Sequence, residues 1–529
     1  MGIQVTGATH TTASDAFLVA MSPAIRILTA LLAAAAVALA VALPAGGAAA
    51  KAPARPAPSV LTVGGPTAAQ AIAPGFVGLS LEYWAVPAYA GSDPAATNPV
   101  FAQLIRNLAD GAPPVLRIGG VTTDNTWWPA RGLRQPAGAT FRLTRRWVAV
   151  TRTLADTLGA RLILGINLEA DSTAIARAEG RALVSGIGSD RIEALEPGNE
   201  PELYGSFKWG FSGAPGRPAA YNFAAFEQDF TRIAAALPKV PLAGPTDGAP
   251  SWFRDLGPFL SAQPRVKVAT LHRYPLQQCF VTPDQPNYPT IANLLAPSSS
   301  TPQADSVIAA VKAAHAHDVS LRIDEMNTIS CGNVPAVGES FASALWALDT
   351  LFAMAQVGVD GVNIHTFPDV GTQLFTFRRV HGQWRGRVEP EYFGLDMFAQ
   401  AAPPGSRLLD VSPGTVAGLH AWATRATNGT TRIVLINEGT QADTVALRLR
   451  PPLATGGAAT ATGTGTLERL EAPSTAATGG VTLAGQGFGA ATGLLAGRRQ
   501  TSAVAPAHGD YTVSVPAGSA AMLTLGPGQ

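Results

Sequence analysis

The sequence predicts an α/β chain in two folded parts, a (β/α)8 TIM barrel followed by a β-sandwich domain. Three observations carry this reading. From about residue 75 to 402, short apolar runs alternate with stretches of helical period. The apolar runs number eight, the count that closes a barrel. Beyond residue 403 the helical period stops, and only short strand-like segments with Gly, Thr and Asn turns remain.

The strand candidates are "GFVGLSLEYW" (75–84), "PPVLRIGG" (113–120), "RLILGINLEA" (161–170), "IEALEPGNEP" (192–201), "VPLAGPTDG" (240–248), "VKVATLHRYP" (266–275), "LRIDEMN" (321–327) and "VDGVNIHTFP" (359–368). Most are apolar runs that end in polar, Gly or Pro residues, as strands buried on both faces of a parallel sheet do. Helical periods lie between them, among them "TRRWVAVTRTLADTLG", "YNFAAFEQDFTRIAAAL" and "ESFASALWALDTLFAMAQVG". The rival is an open doubly wound sheet, which usually carries a Gly-rich phosphate turn after its first strand. None is present here. The C-terminal strands are "GLHAWATRA", "TRIVLINEG", "TVALRLR", "GTLERLEA" and "YTVSVPAGSAAMLTLG". "SVLTVGG" (59–65) reads as a further strand of that domain, and "ATGGAATATGTGT" (454–466) as a surface loop. The resulting division is a signal over 1–50, a linker and N-terminal strand over 51–74, the barrel over 75–402 and the sandwich over 403–529.

With 47% hydrophobic and 14% charged residues, the chain has the material for a large core. A net charge of +1 supplies no global field to recruit nucleic acid. At the N-terminus Arg26 precedes an apolar run, Ile27 to Leu43, and the small-residue stretch "PAGGAAAKAPARPAP". This is the pattern of an export signal, with cleavage near Ala50 and Met21 as an alternative start. An uncleaved anchor is the other reading, but the run falls short of the roughly 20 apolar residues of a span. No stable membrane span is expected after cleavage.

Two cysteines, Cys279 and Cys331, follow the sixth and seventh strands. In an exported protein they read as a disulfide between neighbouring barrel loops, which would pin the loop bearing Gly332. Two free thiols are the alternative. No His/Cys cluster at metal-ligand spacing occurs, so neither a metal nor a cofactor is expected.

Barrel active sites sit at the C-terminal ends of the strands. The polar residues that close these strands are Glu82, Thr123 and Asp124, Asn199 and Glu200, His272 and Tyr274, Asp324, Glu325 and Asn327, and Asn363 and His365. Two carboxyls in one cleft, with no metal ligands, point to glycoside cleavage: a protonated acid for the leaving oxygen and an ionised carboxylate for the anomeric carbon. Pro201 biases Glu200 away from helix and so towards a fixed strand end. Strand alternation predicts that Asp324 faces away from Glu325. Glu196 and Glu202 read as structural or solvated. Glu169, Asp171 and Asp247 read as helix caps or solvent ligands. His272 and His365 read equally as core histidines or substrate contacts, and "WW" (127–128) as packing. "FRRVHGQWRGR" (377–387), with four Arg, reads as a solvated hairpin or a cationic rim that attracts an anionic saccharide.

In combination, "GLSLEYW", "NPVFAQLIRNLADGAPPVLRIGGVTTDNTWW", "EPGNEPELY", "HRYP", "IDEMNTISCG", "FASALWALDTLFAMAQVGVDGVNIH" and "EYFGLDMF" resemble glycoside hydrolase family 79, the β-glucuronidase and heparanase group. "GVTLAGQGFG" and "VSVPAGSAAMLTL" resemble that family's β-sandwich. The resemblance covers nearly the whole mature chain. It implies a retaining glycosidase with Glu200 as acid/base and Glu325 as nucleophile. It also implies that Asn199 holds the sugar 2-hydroxyl, Tyr274 orients the nucleophile and Glu82 binds distal hydroxyls. "MNTISCGN" matches the loop that binds a uronate carboxylate, with Gly332 offering a backbone N–H. Ser330 and Ile364 depart from relatives that place a tyrosine and an aromatic residue there. These departures bear on the sugar and leave the catalytic pair in place. The substrate class is an oligosaccharide or glycoconjugate, with a β-D-glucuronide favoured. A retaining exo-glycosidase for a neutral sugar and a non-catalytic cell-surface carbohydrate-binding protein are the alternatives.

Overall fold

The computed structural model describes residues 58–416, 418–450 and 463–527 of the 529-residue chain. The expected signal, residues 51–57 of the linker and much of the low-complexity stretch 454–466 lie outside the described residues.

All eight predicted stretches form strands, and they close into one parallel barrel: β1 (Val77–Glu82), β2 (Val115–Gly119), β3 (Arg161–Ile166), β4 (Ile192–Pro197), β5 (Leu242–Asp247), β6 (Val266–Arg273), β7 (Ser320–Met326) and β8 (Gly361–His365). β8 pairs with β1, which removes both sheet edges. Every residue of β1, β5 and β8 is buried, as their continuous apolar or small-residue runs require. The helices after β2, β3 and β4 start at side-chain caps. Thr144 accepts from the Trp147 N–H, Ser172 from Ile175 and Asn222 from Ala225. Capping fixes where each helix begins, and so where each connection from the preceding strand end stops.

Most strands of the C-terminal β domain join one curled eleven-stranded sheet. The N-terminal strand Ser59–Pro66 enters it between Arg407–Ser412 and Asp443–Leu449, antiparallel to the first and parallel to the second. Curling lets one face enclose its own core, with Leu61, Leu419, Ile433, Leu435 and Leu523 inside. The alternate residues Val434, Ile436, Ala520 and Met522 join the barrel's core instead. A period of two thus gives the same strands two apolar faces, one for the sheet's interior and one for the barrel. The helices Phe341–Gln356 and Pro390–Ala401, which follow β7 and β8, lie almost wholly buried at this boundary. Their all-round apolar character accounts for that position. No described helix is long and apolar enough to cross a membrane.

Candidate active site

The site is built around a residue that the sequence analysis did not single out. Arg117 sits in the middle of β2 and is fully buried. A guanidinium inside a barrel is tolerable only when carboxylates and hydrogen-bond acceptors surround it. Its Nε meets Glu196 Oε2 of β4 at 2.9 Å and Asp324 Oδ2 of β7 at 3.3 Å. One terminal nitrogen meets Glu325 Oε2 at 2.6 Å, and the other meets Asn199 Oδ1 at 2.7 Å. Ser80 and Thr246 complete the shell at 3.2 Å each. One cation therefore ties β2 to the ends of β4 and β7. A lone Arg inside the apolar run "VLRIG" was the sequence signal for it.

Asp324 corrects the alternation argument. The β7 ladder slips in register between Ile323 and Glu325 against β6. Both carboxyls consequently reach Arg117, and neither faces away. Their ionisation differs. Burial and the neighbouring Glu196 push Asp324 well above the usual carboxylate range. Burial also acts to raise Glu325, but His365, His272, Arg117 and the Tyr274 hydroxyl outweigh it and hold Glu325 well below that range. Tyr274 donates to Glu325 Oε1 at 2.8 Å.

Glu200 follows β4 in the left-handed region, with φ 46° and ψ 56°, a conformation that costs a non-glycine residue about 1 kcal/mol. Its N–H donates to the Thr246 carbonyl at 2.9 Å, which anchors the turn to β5. His272 Nδ1 lies 3.1 Å from Glu200 Oε1, and its Nε2 lies 3.1 Å from the Thr246 hydroxyl. One oxygen of Glu200, one of Glu325 and a ring nitrogen of His272 all fall within 4.8 Å of one another. These three have the ligand types and spacing to hold a metal ion. Arg117 and Tyr274 already engage both oxygens of Glu325, which commits it to hydrogen bonds. The Glu200 side chain is 23% exposed and that of Glu325 9%, so Glu200 has the freer access to solvent.

The remaining predicted residues gather around this pair. Glu82, Asn199, His272, Tyr274, Ser330, Gly332 and His365 all line one cavity of about 770 Å³ with Glu200 and Glu325. Glu82 accepts from the Val121 and Thr122 N–H groups at 3.1 and 2.9 Å, and its carboxylate is thereby fixed. Burial acts to lower His365, but Glu325 and Glu82 raise it, which favours the imidazolium. The Ser330 hydroxyl turns back to the Leu276 carbonyl at 3.5 Å. Gly332 packs so closely on Gln278 that a Cβ there would fall 2.4 Å from Gln278 Oε1. Ile364 is buried in the core, away from the cavity lining.

Cys279 and Cys331 form the disulfide, with Cα atoms 5.6 Å apart. Beside it Leu276 and Gln277 pair with Ile329 and Ser330, so the loops after β6 and β7 make one wall. The hairpin Phe375–Val380 with Gln383–Val388 forms as the sequence suggests, but none of its four arginines lines the cavity. Arg379 stacks on Trp384 and Arg387 pairs with Glu389, so the cationic-rim reading gives way to the structural one. Glu169 and Asp247 are buried, not solvent ligands. Burial and the nearby Asp124 push Glu169 up to about 8. Asp124 itself accepts from the Tyr204 hydroxyl at 2.6 Å, and that hydroxyl accepts from the Asn199 N–H at 3.2 Å. Asp124 and Tyr204 therefore brace the strand end that carries Asn199 and Glu200.

Residues 421–522 match the family model described as the glycosyl hydrolase family 79 C-terminal beta domain. A β-glucuronidase of Neurospora crassa is 24% identical over 414 residues, 68% of this chain and 71% of that protein. Among solved structures, a 4-O-α-L-rhamnosyl-β-D-glucuronidase from Fusarium oxysporum 12S superposes with a TM-score of 0.67. It is 20% identical, and the match covers 88% of this chain and all of that one. The family 51 arabinofuranosidase of Xanthomonas axonopodis pv. citri superposes with a TM-score of 0.61 at 15% identity, over 88% of this chain and 99% of that one. The two structures share the barrel-and-sheet fold with this protein. With a family 79 C-terminal beta domain matched over residues 421–522 behind a barrel of this kind, the chain is a glycoside hydrolase that resembles family 79.

Proposed function

We propose that the protein is an exported, retaining β-D-glucuronidase that works by double displacement. The observation that carries the mechanism is the trio Glu200, His272 and Glu325, with reacting atoms within 4.8 Å of one another. Retaining glycosidases hold their carboxyls about 5–5.5 Å apart, whereas inverting ones need about 6.5–9.5 Å to admit a water between them.

Glu325 is the nucleophile, because Arg117, Tyr274 and two histidines keep it ionised. Its Oε attacks the anomeric carbon as the glycosidic C–O bond breaks, and protonated Glu200 gives its proton to the departing oxygen. In the second step Glu200 takes a proton from water, the water oxygen attacks the anomeric carbon, and the ester bond to Glu325 breaks. His272 holds Glu200 in place through Nδ1. Asn199, fixed by Arg117, is aimed to bind the sugar 2-hydroxyl. The glucuronide assignment is supported by the "MNTISCGN" loop, whose Gly332 lines the cavity with its backbone close to Gln278. Export, with cleavage near Ala50, belongs to the same proposal.

The test is hydrolysis of matched 4-nitrophenyl β-D-glucuronide, β-D-galactoside and β-D-xyloside by the purified mature chain, with the product anomer read by NMR. Turnover of the glucuronide alone, with retention, is expected. Glu325→Gln and Glu200→Ala should each lower kcat/KM about a thousandfold or more. Preference for a neutral sugar discards the glucuronide assignment, and an inverted product discards the double displacement.

A further inference from the structure

The mouth of the cavity carries apolar surface that the mechanism does not use. Phe207, Phe211 and Phe280 are 39%, 77% and 62% exposed, and they are the exposed phenylalanines among the described residues. Phe207 and Phe280 line the catalytic cavity, and Phe211 follows the lining residue Gly210. All three fall on two loops, those after β4 and β6. Exposed aromatic rings are expensive in water, and their concentration at one mouth marks a binding surface.

The two lining rings meet across the mouth. Their centroids are 5.6 Å apart and their planes stand at 89°. A floor and an upright wall of this kind receive a flat ring against one face and one edge. Neither loop hangs free. Phe207 donates its N–H to the Leu203 carbonyl at 3.0 Å, and the Trp209 indole donates to the Asp124 carbonyl at 2.8 Å. Phe280 is next to Cys279, whose disulfide holds it to the loop after β7.

Chain connectivity says which part of a substrate meets this notch. Phe207 is on the loop that begins at Glu200, and Phe280 is on the loop that follows the strand carrying His272, the partner of Glu200. The proton donor and the aromatic pair therefore belong to the same two strand ends. The group that takes the proton from Glu200 is the leaving group. We infer that Phe207 and Phe280 form the leaving-group site and that it takes an aromatic aglycone, so that aryl glycosides are the preferred substrates. This inference rests on Glu200 acting as the acid.

The experiment compares kcat/KM for 4-nitrophenyl and methyl glycosides of whichever sugar the wild type hydrolyses, because kcat/KM reports the step in which the leaving group departs. Phe280→Ala and Phe207→Ala should each lower the aryl value about tenfold and change the methyl value less than twofold, with Phe280→Tyr close to wild type. Equal losses on both glycosides, or none on either, overturn the assignment. An equal loss on a disaccharide of the same sugar makes the notch a saccharide site and overturns the aromatic one. Binding of 4-methylumbelliferone, followed by its fluorescence, needs no sugar and no turnover. Its weakening about tenfold in Phe280→Ala is the expected result, and its absence in the wild type counts against the site even where no glycoside is cleaved. Failure of the glucuronide reading shows separately, in the sugar preference of the wild type.

Discussion

Two buried ionic clusters organise this molecule, and they differ in their access to the cavity. Around Arg117 one cation faces Glu196, Asp324 and Glu325, with the cluster open on one side to the cavity. At the boundary between barrel and curled sheet, Asp349 of the helix Phe341–Gln356 accepts from His420 at 2.8 Å and from the Trp422 indole at 2.6 Å. Glu438 stands beside this pair, and burial together with Asp349 pushes it up to about 8. Burial acts to lower His420, yet Asp349 raises it to about 9, so the pair is ionic at neutral pH. Trp422 stacks on Phe352 of the same helix at 5.6 Å. This cluster fastens the sheet to the barrel. In the Arg117 cluster burial and Glu196 push Asp324 up, while Glu325 is held low and stays ionised. Both clusters carry more acid than base, and only the one around Arg117 presents an ionised carboxylate to a cavity.

Substitution of Arg117 should break the contrast most strongly. Arg117→Met leaves three buried carboxyls without their shared guanidinium. A stability loss of about 3–5 kcal/mol in denaturant unfolding and a fall in kcat/KM of about 100-fold or more are expected. The acidic limb of the kcat/KM profile should also move to higher pH, since Arg117 helps to hold Glu325 low. An unmoved limb with lowered stability would make Arg117 structural only.

The disulfide comes next in size. It closes a sequence separation of 52 residues, for which chain entropy allows up to about 4 kcal/mol. Cys279→Ser with Cys331→Ser should lower Tm and raise KM while kcat stays within about twofold, because the bridge shapes the cavity wall and touches neither Glu200 nor Glu325. A collapse in kcat would place the bridge closer to the chemistry.

At the joint, His420→Ala should cost about 2–3 kcal/mol, read by thermal unfolding, with kcat/KM unchanged. The pH dependence separates this cluster from the other. His420 is raised on folding, so its contribution is complete below its unfolded value near 6.5 and disappears as pH rises through about 9. Glu325 is depressed, so its contribution is present above its unfolded value near 4.3 and disappears as pH falls. The alkaline fall in Tm should vanish in His420→Ala while the acid fall persists. The smallest effect belongs to the hairpin. Arg378 is exposed and lies outside the cavity, so Arg378→Ala should leave kcat/KM on the anionic glucuronide within about twofold. A larger loss would restore the cationic rim.

Much of this was legible in advance. Eight apolar runs gave eight strands because burial on both faces leaves no alternation to misread, as in "VGLSLE" and "GVNIH". Glu200 and Glu325 were legible because strand ends are where polar residues interrupt those runs. Arg117 was overlooked because a single charge in an apolar strand carries no period. The orientation of Asp324 was misread because a slip in the ladder after Ile323 is invisible in an unbroken apolar-to-acidic run.

The sequence by itself determined the alternating barrel, the all-β end and the strand ends where chemistry sits, since each of these depends on local period and on short stretches of composition. Only the tertiary structure decided that β2, β4 and β7 share one guanidinium, that Asp349 meets His420 across the boundary, and that Phe207 meets Phe280 over the cavity. Each of these pairs residues far apart in sequence. Their meeting is set by the closure of the barrel and by the curl of the sheet, and no local pattern records either.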